Sequence, residues 1–451
     1  MNLNRLILAG LLISCFLFSS FRTCGADEAL KTVRLELASA NSLVTEITYR
    51  LRVDGTMVTP STEGNRSWPV TSEGQMEFQQ RRLPSDPDHA NRFRAIRIFQ
   101  VAETRTRVAE TNTHVELPVS YRQIAIDASD EGLVQYHQKF PLPRRQLDLL
   151  QMPCDVLVSG MLLPGTQVAL SEKWNADPWV LPMLTGIDVG VEQNIRCELT
   201  AADAKIATIR FTGTVKGAVN GSSADIELSG EMVFDRRHRI IASLKAIQRE
   251  KRSPGPVSPG LDVTAHIEWT QVPVSEAANA QAPVAEEIDA PSAQNRLLFL
   301  QTPLRLQLLH SREWHLFHET PSVIMLRQLR NGNLISQCNI SSAVTVPPGQ
   351  HTPDKEFAAD VRSAVAERKG DVVSEDTVRD DEQWRVRHVQ AAGDADGTSI
   401  TWNYYLCSAS TGEQFSLVFS HSEKDKDAFG DEASRILSTL QVARRRPALP
   451  R

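Results

Sequence analysis

The sequence lacks any hydrophobic run long enough to cross a membrane as a helix. Its one sustained apolar stretch, residues 6–18, is shorter than the ~20 residues that a transmembrane helix needs. The overall composition, 41% hydrophobic and 23% charged, is that of an ordinary globular protein. We therefore expect a soluble mature chain with no integral membrane segment.

Catalytic signatures are also missing. The chain contains no G-x-S-x-G, S-x-x-K, H-E-x-x-H, C-x-x-C or G-x-G-x-x-G pattern and no Walker loop. A convergent active site is recognised by geometry and not by sequence order, so this absence makes an enzyme less expected without excluding one. The net charge of −6 supplies no basic surface for nucleic acid, and no motif implies a cofactor.

Cysteine is scarce, and two of the six cysteines fall in the N-terminal segment. The other four are Cys154, Cys197, Cys338 and Cys407. An even number in an oxidising compartment permits disulfides, and the simplest pairs are Cys154–Cys197 and Cys338–Cys407, the second across neighbouring strands. Four buried free thiols are the alternative, because cysteine is often buried even when unpaired.

The N-terminus has the order of a secretory signal peptide. Arg5 supplies a positive charge, residues 6–18 form the apolar segment, and the small residues Cys24 and Ala26 stand at the positions that signal peptidase reads. We predict cleavage after Ala26 and an exported protein that is periplasmic or extracellular. An uncleaved N-terminal anchor and lipidation of Cys15 are the alternatives.

The chain is too long for one typical core, because about 425 residues remain after cleavage. Residues 272–294 have almost no large apolar side chains and are typical of a linker. The predicted organisation is a signal peptide at 1–26, a β-rich N-terminal domain at 27–271, the linker, a second domain at 295–443 and a basic tail at 444–451.

Strand patterns dominate the N-terminal domain. Alternating β-branched and polar residues predict strands at 32–37, 45–53, 95–101, 114–126, 206–219, 226–234, 240–248 and 263–269. Asn220-Gly221 tolerates the positive φ of a type I′ turn and predicts a hairpin after the fifth of them. The last four predicted strands are typical of an antiparallel meander. One short helix is predicted at 174–184.

The second domain mixes both patterns. Strands are predicted at 304–309, 323–329, 334–340, 372–378, 383–389, 398–407 and 414–420, with a hairpin turn at Asn331-Gly332. Thr352 before Pro353 predicts the start of an amphipathic helix, and a closing helix follows at 429–440. The expected fold class is α+β: a β-rich N-terminal antiparallel meander and a C-terminal antiparallel sheet with flanking helices.

This order of elements, with Trp314 and the ending Ser434-Arg435-Ile436-Leu437-Ser438, resembles the PsbP/Mog1-like α/β/α domain over residues 301–442. Members of that group are mostly binding or assembly factors without shared catalytic residues. The N-terminal domain resembles exported bacterial β-rich proteins of unknown function. The segments that carry this second resemblance are Leu162-Leu163-Pro164-Gly165, Glu172-Lys173-Trp174, Glu250-Lys251-Arg252 and Pro259-Gly260-Leu261-Asp262.

The most functional-looking feature of the N-terminal domain is a charged loop. Glu250, Lys251 and Arg252 precede a Pro/Gly-rich turn, and Asp262 follows it. Charges of both signs on a loop held by a rigid sheet can form a binding rim, so Glu250, Arg252 and Asp262 are the candidate binding residues. A solvated hairpin connection is the alternative.

Two sets of residues have the chemistry of metal ligands but not the spacing. His310, His315, His318 and Glu319 surround Trp314, yet side chains three apart on a strand point to opposite faces, so His315 and His318 do not converge. The segment 394–397, Asp-Ala-Asp-Gly, lacks the remaining ligands of a calcium loop and is typical of a hairpin turn. We predict no metal site.

The sequence thus favours an exported non-catalytic envelope protein that binds a protein or surface partner. A carrier of an apolar ligand, held in a cavity of the N-terminal β domain, is the alternative. An unrecognised hydrolase remains a third hypothesis, and a cleft of convergent titratable groups would favour it.

We expect protein recovered from its native host to begin at Asp27, because cleavage after Ala26 removes the apolar segment. N-terminal sequencing and intact-mass measurement check this. A lipid adduct on Cys15, within the lipobox-like run Leu12-Ile13-Ser14-Cys15, would contradict it.

Overall fold

The computed structural model describes residues 32–38, 43–62, 64–84, 91–274, 291–395 and 397–443. The predicted signal peptide, most of the predicted linker and the basic tail lie outside these residues, so those predictions stand untested. We call residues 32–274 the N-terminal lobe and residues 291–443 the C-terminal lobe. No helix in the described ranges is long and apolar enough to cross a membrane.

Strands make up most of the described chain, and the helices between them are short. In chain order, the strands are β1 (Thr32–Arg34), β2 (Val44–Ser61), β3 (Gly64–Arg82), β4 (Phe93–Val108), β5 (Thr111–Glu116), β6 (Gln123–Ser129), β7 (Gly132–Tyr136), β8 (Leu142–Pro143), β9 (Gln167–Ala169), β10 (Lys173–Asn175), β11 (Val189–Ala202), β12 (Ile206–Val219), β13 (Ser222–Asp235), β14 (Ile240–Arg252), β15 (Gly260–Pro273), β16 (Leu298–Gln301), β17 (Leu306–His310), β18 (Trp314–Glu319), β19 (Val323–Arg330), β20 (Asn333–Ser342), β21 (Asp371–Asp380), β22 (Trp384–Ala395), β23 (Thr398–Ala409), β24 (Gln414–Ser422) and β25 (Gln441–Val442). The helices are α1 (Arg144–Leu150), α2 (Val156–Ser159), α3 (Val180–Thr185), α4 (Asp354–Ala366), α5 (Lys426–Phe429) and α6 (Glu432–Ser438).

The expected α+β fold class is wrong, because the protein is mostly β. Strands hold 60% of the described residues and helices 13%. The sequence patterns did not predict β3 and β11, which are 19 and 14 residues long. Both strands carry polar residues over much of their length, so their apolar alternation is weak.

The N-terminal lobe is built on one large antiparallel sheet of 12 strands. The strand order is β10-β11-β12-β13-β14-β15-β2-β3-β4-β6-β7, with β5 paired to β4 beside this path. The predicted meander is confirmed as β12 to β15, joined in sequence by antiparallel pairing. Asn220 and Gly221 have φ values of 49° and 74°, as their type I′ turn requires.

Two other predictions for the N-terminal lobe are wrong, and each concerns a segment that contains a proline. The single strand predicted at 114–126 is two strands, β5 and β6, because Pro118 lies between them and a 3-10 turn follows it. The helix predicted at 174–184 begins only at Val180, and Trp174 is in strand β10. Pro178 precedes this shortened helix, in agreement with the preference of proline for the ends of helices.

The large sheet curls around three short helices. Helix α3 contacts β7 at one end of the sheet and also β11 and β12 near the other end. One continuous apolar core includes inward side chains of the sheet, such as Phe211 and Trp269, together with residues of α1, α2 and α3. The concave face of the sheet is therefore filled by the chain's own helices.

A fully buried ion pair joins the sheet to these helices. Arg97 on β4 donates through both terminal nitrogens to the two carboxylate oxygens of Asp155, at 2.7 Å each, and neither side chain is exposed. Arg97 Nε donates to the side-chain oxygen of Gln80 at 2.8 Å, and its guanidinium lies 4.8 Å from the ring centre of Phe78. Asp155 also caps α2, since its Oδ1 accepts the backbone N–H of Leu157 at 2.8 Å.

The C-terminal lobe contains a seven-stranded antiparallel sheet in the order β18-β19-β20-β24-β23-β22-β21. Helix α4 and helices α5 and α6 contribute to two separate apolar cores that include residues of this sheet. The predicted closing helix is split into α5 and α6, because Gly430 between them has a φ of 55° that ends the first helix.

The two lobes share backbone pairing and a turn contact. Strand β8 of the N-terminal lobe pairs in parallel with β16, in a four-stranded sheet that also holds β17 and β25. The two Asn-Gly hairpins meet as well, since a Cβ placed on Gly221 would come within 2.5 Å of the carbonyl oxygen of Gly332. This close approach, as well as the positive φ, requires glycine at position 221.

Neither predicted disulfide is formed: Cys154, Cys197, Cys338 and Cys407 are buried free thiols. Cys338 and Cys407 were expected on neighbouring strands, but β24 separates β20 from β23. Strands two places apart in a sheet lie about 9.5 Å from each other, beyond the ~7 Å between Cα atoms that a disulfide spans. Burial raises the pKa of the Cys154 and Cys197 thiols to about 12, which makes both unreactive.

Replacing Asp155 with asparagine should lower the free energy of unfolding by about 3–5 kcal/mol, because Arg97 would keep a buried charge without a counter-ion. Asn still caps a helix, so Asp155→Ala should cost about 1 kcal/mol more. Urea denaturation checks both. As a control, Glu227→Gln, which breaks an exposed ion pair with Arg249, should change stability little, and equal effects at Asp155 and Glu227 would contradict the prediction.

Candidate functional site

A cleft of about 1320 Å³ lies between the two lobes. The N-terminal lobe contributes side chains from β5, β7, β14, α1 and α3, and the C-terminal lobe contributes side chains from β16 to β18. Apolar side chains such as Leu133, Met183 and Leu316 alternate with charged ones around its walls. It is an open and amphipathic site, in contrast to the closed apolar core beside it.

The candidate binding loop is divided between two faces of the sheet. Glu250 and Arg252 line the cleft, where Arg252 Nε donates to Glu250 Oε1 at 2.8 Å. Asp262 pairs across the ladder with Lys251, and both are exposed, whereas Glu250 and Arg252 are partly buried. Successive side chains of a strand alternate between faces, so Asp262 lies on the other side of the sheet from the cleft. The three residues therefore do not form one rim.

Two arginines, one from each lobe, meet in the cleft. Arg144 begins α1, and its Nη1 donates to the backbone oxygen of Arg312 at 3.1 Å. Arg312 Nη2 in turn donates to the backbone oxygen of Gln135 at 2.6 Å, and its Nε donates to that of Arg296 at 3.0 Å. Burial, and then the nearby charges of Arg144 and Arg296, lower the pKa of Arg312 to about 10. No hydrogen bond joins Arg312 to a carboxylate within the described part of the chain.

Two of the histidines that the sequence analysis weighed as metal ligands, His310 and His315, lie close to these arginines. Burial, with the charge of Arg144 acting in the same direction, lowers the pKa of His310 to about 4, although a hydrogen bond to the Ser311 carbonyl opposes the shift. Burial, Arg144 and His310 lower the pKa of His315 to about 3. Both imidazoles are therefore neutral at physiological pH.

Three of the four carboxylates that line the cleft are already engaged, and the fourth, that of Glu319, is exposed and makes no hydrogen bond among the described residues. Asp148 accepts from Arg144 Nε at 2.9 Å, and burial raises its pKa against the opposing effect of Arg144. Glu250 is bonded to Arg252, and Asp188 accepts the backbone N–H of Asn220 at 2.6 Å. The charge of Arg312 therefore has no acidic partner of its own here.

Two buried glutamines join the sheet to the helix ends beside the cleft. Gln135 on β7 donates through Nε2 to the carbonyl of Leu150, the last residue of α1, at 3.0 Å. Gln248 on β14 donates in the same way to the carbonyl of Thr185, the last residue of α3, at 3.0 Å. Both side chains line the cleft, and the Oε1 atom of each is buried without a hydrogen-bond partner among the described residues.

The remaining histidines and acids of the sequence analysis do not assemble into a metal site. His315 and Glu319 line the cleft, while His318 is exposed and does not, because a bulge in the β18–β19 register falls between Leu316 and His318. No group of three or more metal-ligating side chains occurs in the ranges that the structure describes. Asp394 Oδ1 accepts the backbone N–H of Gly397 at 2.8 Å, as in a hairpin turn, and Asp396 lies outside the described residues.

Sequence reasoning missed the residues that define the cleft. Arg144, Arg312 and Gln135 are far apart in the chain and belong to no motif. One signal was present, because Arg144-Arg145 follows Pro141-Leu142-Pro143, a place where a helix often begins and where two positive charges disfavour its N-terminus. Because these two charges destabilise the start of the helix, an arginine pair in that position indicates that the arginines serve a purpose other than helix stability.

The folded protein should lose stability as the pH falls from 7 to 4, because the unfolded chain takes up protons at His310 and His315 at a higher pH than the folded protein does. For His310 alone, the difference from the usual pKa of 6.5 corresponds to about 3 kcal/mol at pH 4. His310→Gln should flatten this dependence by that amount, measured as unfolding free energy against pH. His318→Gln, an exposed control, should leave it unchanged, and parallel curves for His310→Gln and the parent protein would refute the assignment.

No protein-family model and no curated protein sequence matches this chain. Among solved structures, a protein from Bacteroides thetaiotaomicron is 13% identical over 32% of this chain, which spans about half (48%) of that protein, with a TM-score of 0.22. A mutant porin of Rh. blastica is 8% identical, covering 84% of this chain and 99% of that one, with a TM-score of 0.12. OmpF of Salmonella typhi is 6% identical, covering 84% and 97%, with a TM-score of 0.13. At these scores the similarities assign neither a fold family nor a function.

Proposed function

We propose that this chain is an exported, non-catalytic binding protein that holds its partner in the cleft between the two lobes. The observation that carries the proposal is the cleft itself, a volume of about 1320 Å³ whose walls come from both lobes and combine apolar with charged side chains. Recognition sites have this mixture, since apolar walls supply affinity and a few placed polar groups supply orientation.

A segment of a partner protein fits this cleft better than a compact small molecule does. Strand β18, which lines the cleft, is paired only with β19, and β5 on the opposite wall is paired only with β4, within the described part of the chain. Backbone groups at free strand edges, together with exposed apolar side chains such as Leu316, are what an extended polypeptide binds. The resemblance to PsbP/Mog1-like domains, which are mostly binding or assembly factors, favours the same class.

The alternative of an apolar-ligand carrier has less support. Such a carrier needs a dry cavity inside the N-terminal sheet, and helices α1, α2 and α3 pack their apolar side chains, including Leu150 and Leu184, into that space. The hydrolase hypothesis also has little support, because the cleft histidines His310 and His315 form no hydrogen bond to a serine, threonine or cysteine side chain in the described residues.

Site-specific cross-linking in the native host tests the proposed site. A photo-reactive amino acid at Leu316, which is 40% exposed in the cleft, should capture a defined partner. The same amino acid at Val373, 61% exposed on β21 at the opposite edge of the same sheet, should not. The purified partner should then bind the protein at least tenfold more weakly after Leu316→Asp but not after Val373→Asp. Equal capture from both positions, or unchanged affinity after Leu316→Asp, would rule out the cleft as the binding site.

A further inference from the structure

The arginine end of the cleft has hydrogen-bonding capacity that the protein leaves unused. Of the donors of Arg312, Nε and Nη2 are bonded to backbone carbonyls, and of those of Arg144, Nε and Nη1 are bonded to Asp148 and Arg312. Arg312 Nη1 and Arg144 Nη2 have no partner among the described residues. Arg144 and Arg312 come from opposite lobes and are in direct contact, because the Arg144 guanidinium donates a hydrogen bond to the Arg312 backbone oxygen.

The positive charges at this end of the cleft lie unfavourably close to one another. The charge of Arg144 lowers the pKa of Arg312, His310 and His315 alike, and its guanidinium donates to the backbone oxygen of Arg312. Positive groups that repel one another in a half-buried cleft are stabilised when an anion binds there, because charge-assisted hydrogen bonds to the anion offset the repulsion. Of the carboxylates that line the cleft, Asp148 and Glu250 already have arginine partners, Asp188 accepts a backbone N–H, and Glu319 is exposed and makes no hydrogen bond to either arginine.

An unsatisfied acceptor adjoins the same arginines. Gln135 is 2% exposed, its backbone oxygen accepts from Arg312, and its Oε1 has no partner in the described part of the chain. The Gln135 amide cannot simply be reversed, because Nε2 is needed to donate to the Leu150 carbonyl. A buried acceptor left without a donor destabilises the protein, so a ligand group that donates a hydrogen bond to it is favoured there.

We propose that this end of the cleft binds the carboxylate or phosphate group of the ligand, held by Arg144 and Arg312, with Gln135 Oε1 accepting an N–H or O–H next to the anionic atoms. The inference rests on the proposed function, because it assigns the chemistry by which the cleft recognises its partner. Each lobe contributes one guanidinium nitrogen without a partner among the described residues, Arg144 Nη2 and Arg312 Nη1, and the oxygens of both anions accept charge-assisted hydrogen bonds from such donors. The Gln135 acceptor then distinguishes an anion with an adjacent donor from one without.

Inorganic phosphate and sulfate are the probes, because at pH 6 phosphate carries an O–H group and sulfate carries none. Isothermal titration of the full mature chain at constant ionic strength should show saturable phosphate binding and weaker sulfate binding. Arg312→Gln and Arg144→Gln should each weaken phosphate binding about tenfold or more. Equal affinity for the two anions would overturn the role of Gln135, and the absence of saturable binding for both phosphate and acetate, titrated in the same way, would overturn the anion site.

A second pair of variants covers the case in which loss of an arginine unfolds the protein. His315 makes no hydrogen bond to any described residue, so His315→Asp should leave the fold intact while its carboxylate competes with phosphate for Arg144 and abolishes binding. His318→Asp, on the same strand but outside the cleft lining, should bind phosphate like the parent protein. Unchanged phosphate binding in His315→Asp would refute the proposal.

The outcomes for the two proposals differ. If the partner captured at Leu316 still binds the His315→Asp variant with parental affinity, the cleft is a binding site but the anion is not what it recognises. If phosphate binding follows the expected pattern while Leu316 captures nothing, the anion site is upheld and the partner-binding function fails.

Discussion

The ion pair between Arg97 and Asp155 is the constraint around which the N-terminal lobe is arranged. Both side chains are removed from water, and such a pair compensates for its lost hydration only when the geometry is close to ideal and the remaining donors are satisfied. The two bonds to Asp155, the third to Gln80 and the ring of Phe78 meet that requirement. Any displacement of the helices from the sheet would leave a buried charge unpaired, so the ion pair fixes one relative position.

Neutral hydrogen bonds extend the same arrangement along the concave face. Tyr49 and Trp269 donate to the carbonyls of Pro153 and Cys154, in the segment just before Asp155. Gln135 and Gln248 donate to the last carbonyls of α1 and α3. Short helices cannot satisfy their own terminal groups, and these sheet side chains do so instead. The concave face of the curled sheet is thereby filled and held rigid, and the cleft between the lobes lies outside this packed core.

The sequence predicted those features that depend on neighbouring residues. The Asn220-Gly221 and Asn331-Gly332 turns were found because each needs positive φ at two adjacent positions, and the strands β12 to β15 because their apolar side chains alternate. The α+β class was wrong because the length of polar strands such as β3 is set by pairing with partners and not by local composition. Arg97 and Asp155 are 58 residues apart, and no local pattern connects them.

The candidate site shows the same division between local and long-range information. Glu250, Arg252, His310 and His315 were singled out by residue type, and all four do line the cleft. Asp262 does not, because it pairs across the β14–β15 ladder with Lys251. Side chains alternate along a strand, so Lys251 and Asp262 share the face opposite to that of Glu250 and Arg252. Arg144 and Arg312 gave no sequence signal as a pair, since contacts between the lobes, including the parallel pairing of β8 with β16, bring α1 close to the start of β18.

The contacts of Arg312 make the cleft and the lobe interface one structure. The arginine ties the C-terminal lobe to the Gln135 carbonyl on β7, and the side chain of the same Gln135 ties β7 to α1. Arg144, at the other end of α1, closes the chain of contacts by donating to Arg312. Each of these groups keeps one donor or acceptor without a partner among the described residues, while its other positions are fixed by hydrogen bonds within its own lobe or to the other lobe. The rigidity of the interface therefore pre-organises the polar end of the cleft, and a ligand bound there meets groups that need no further ordering.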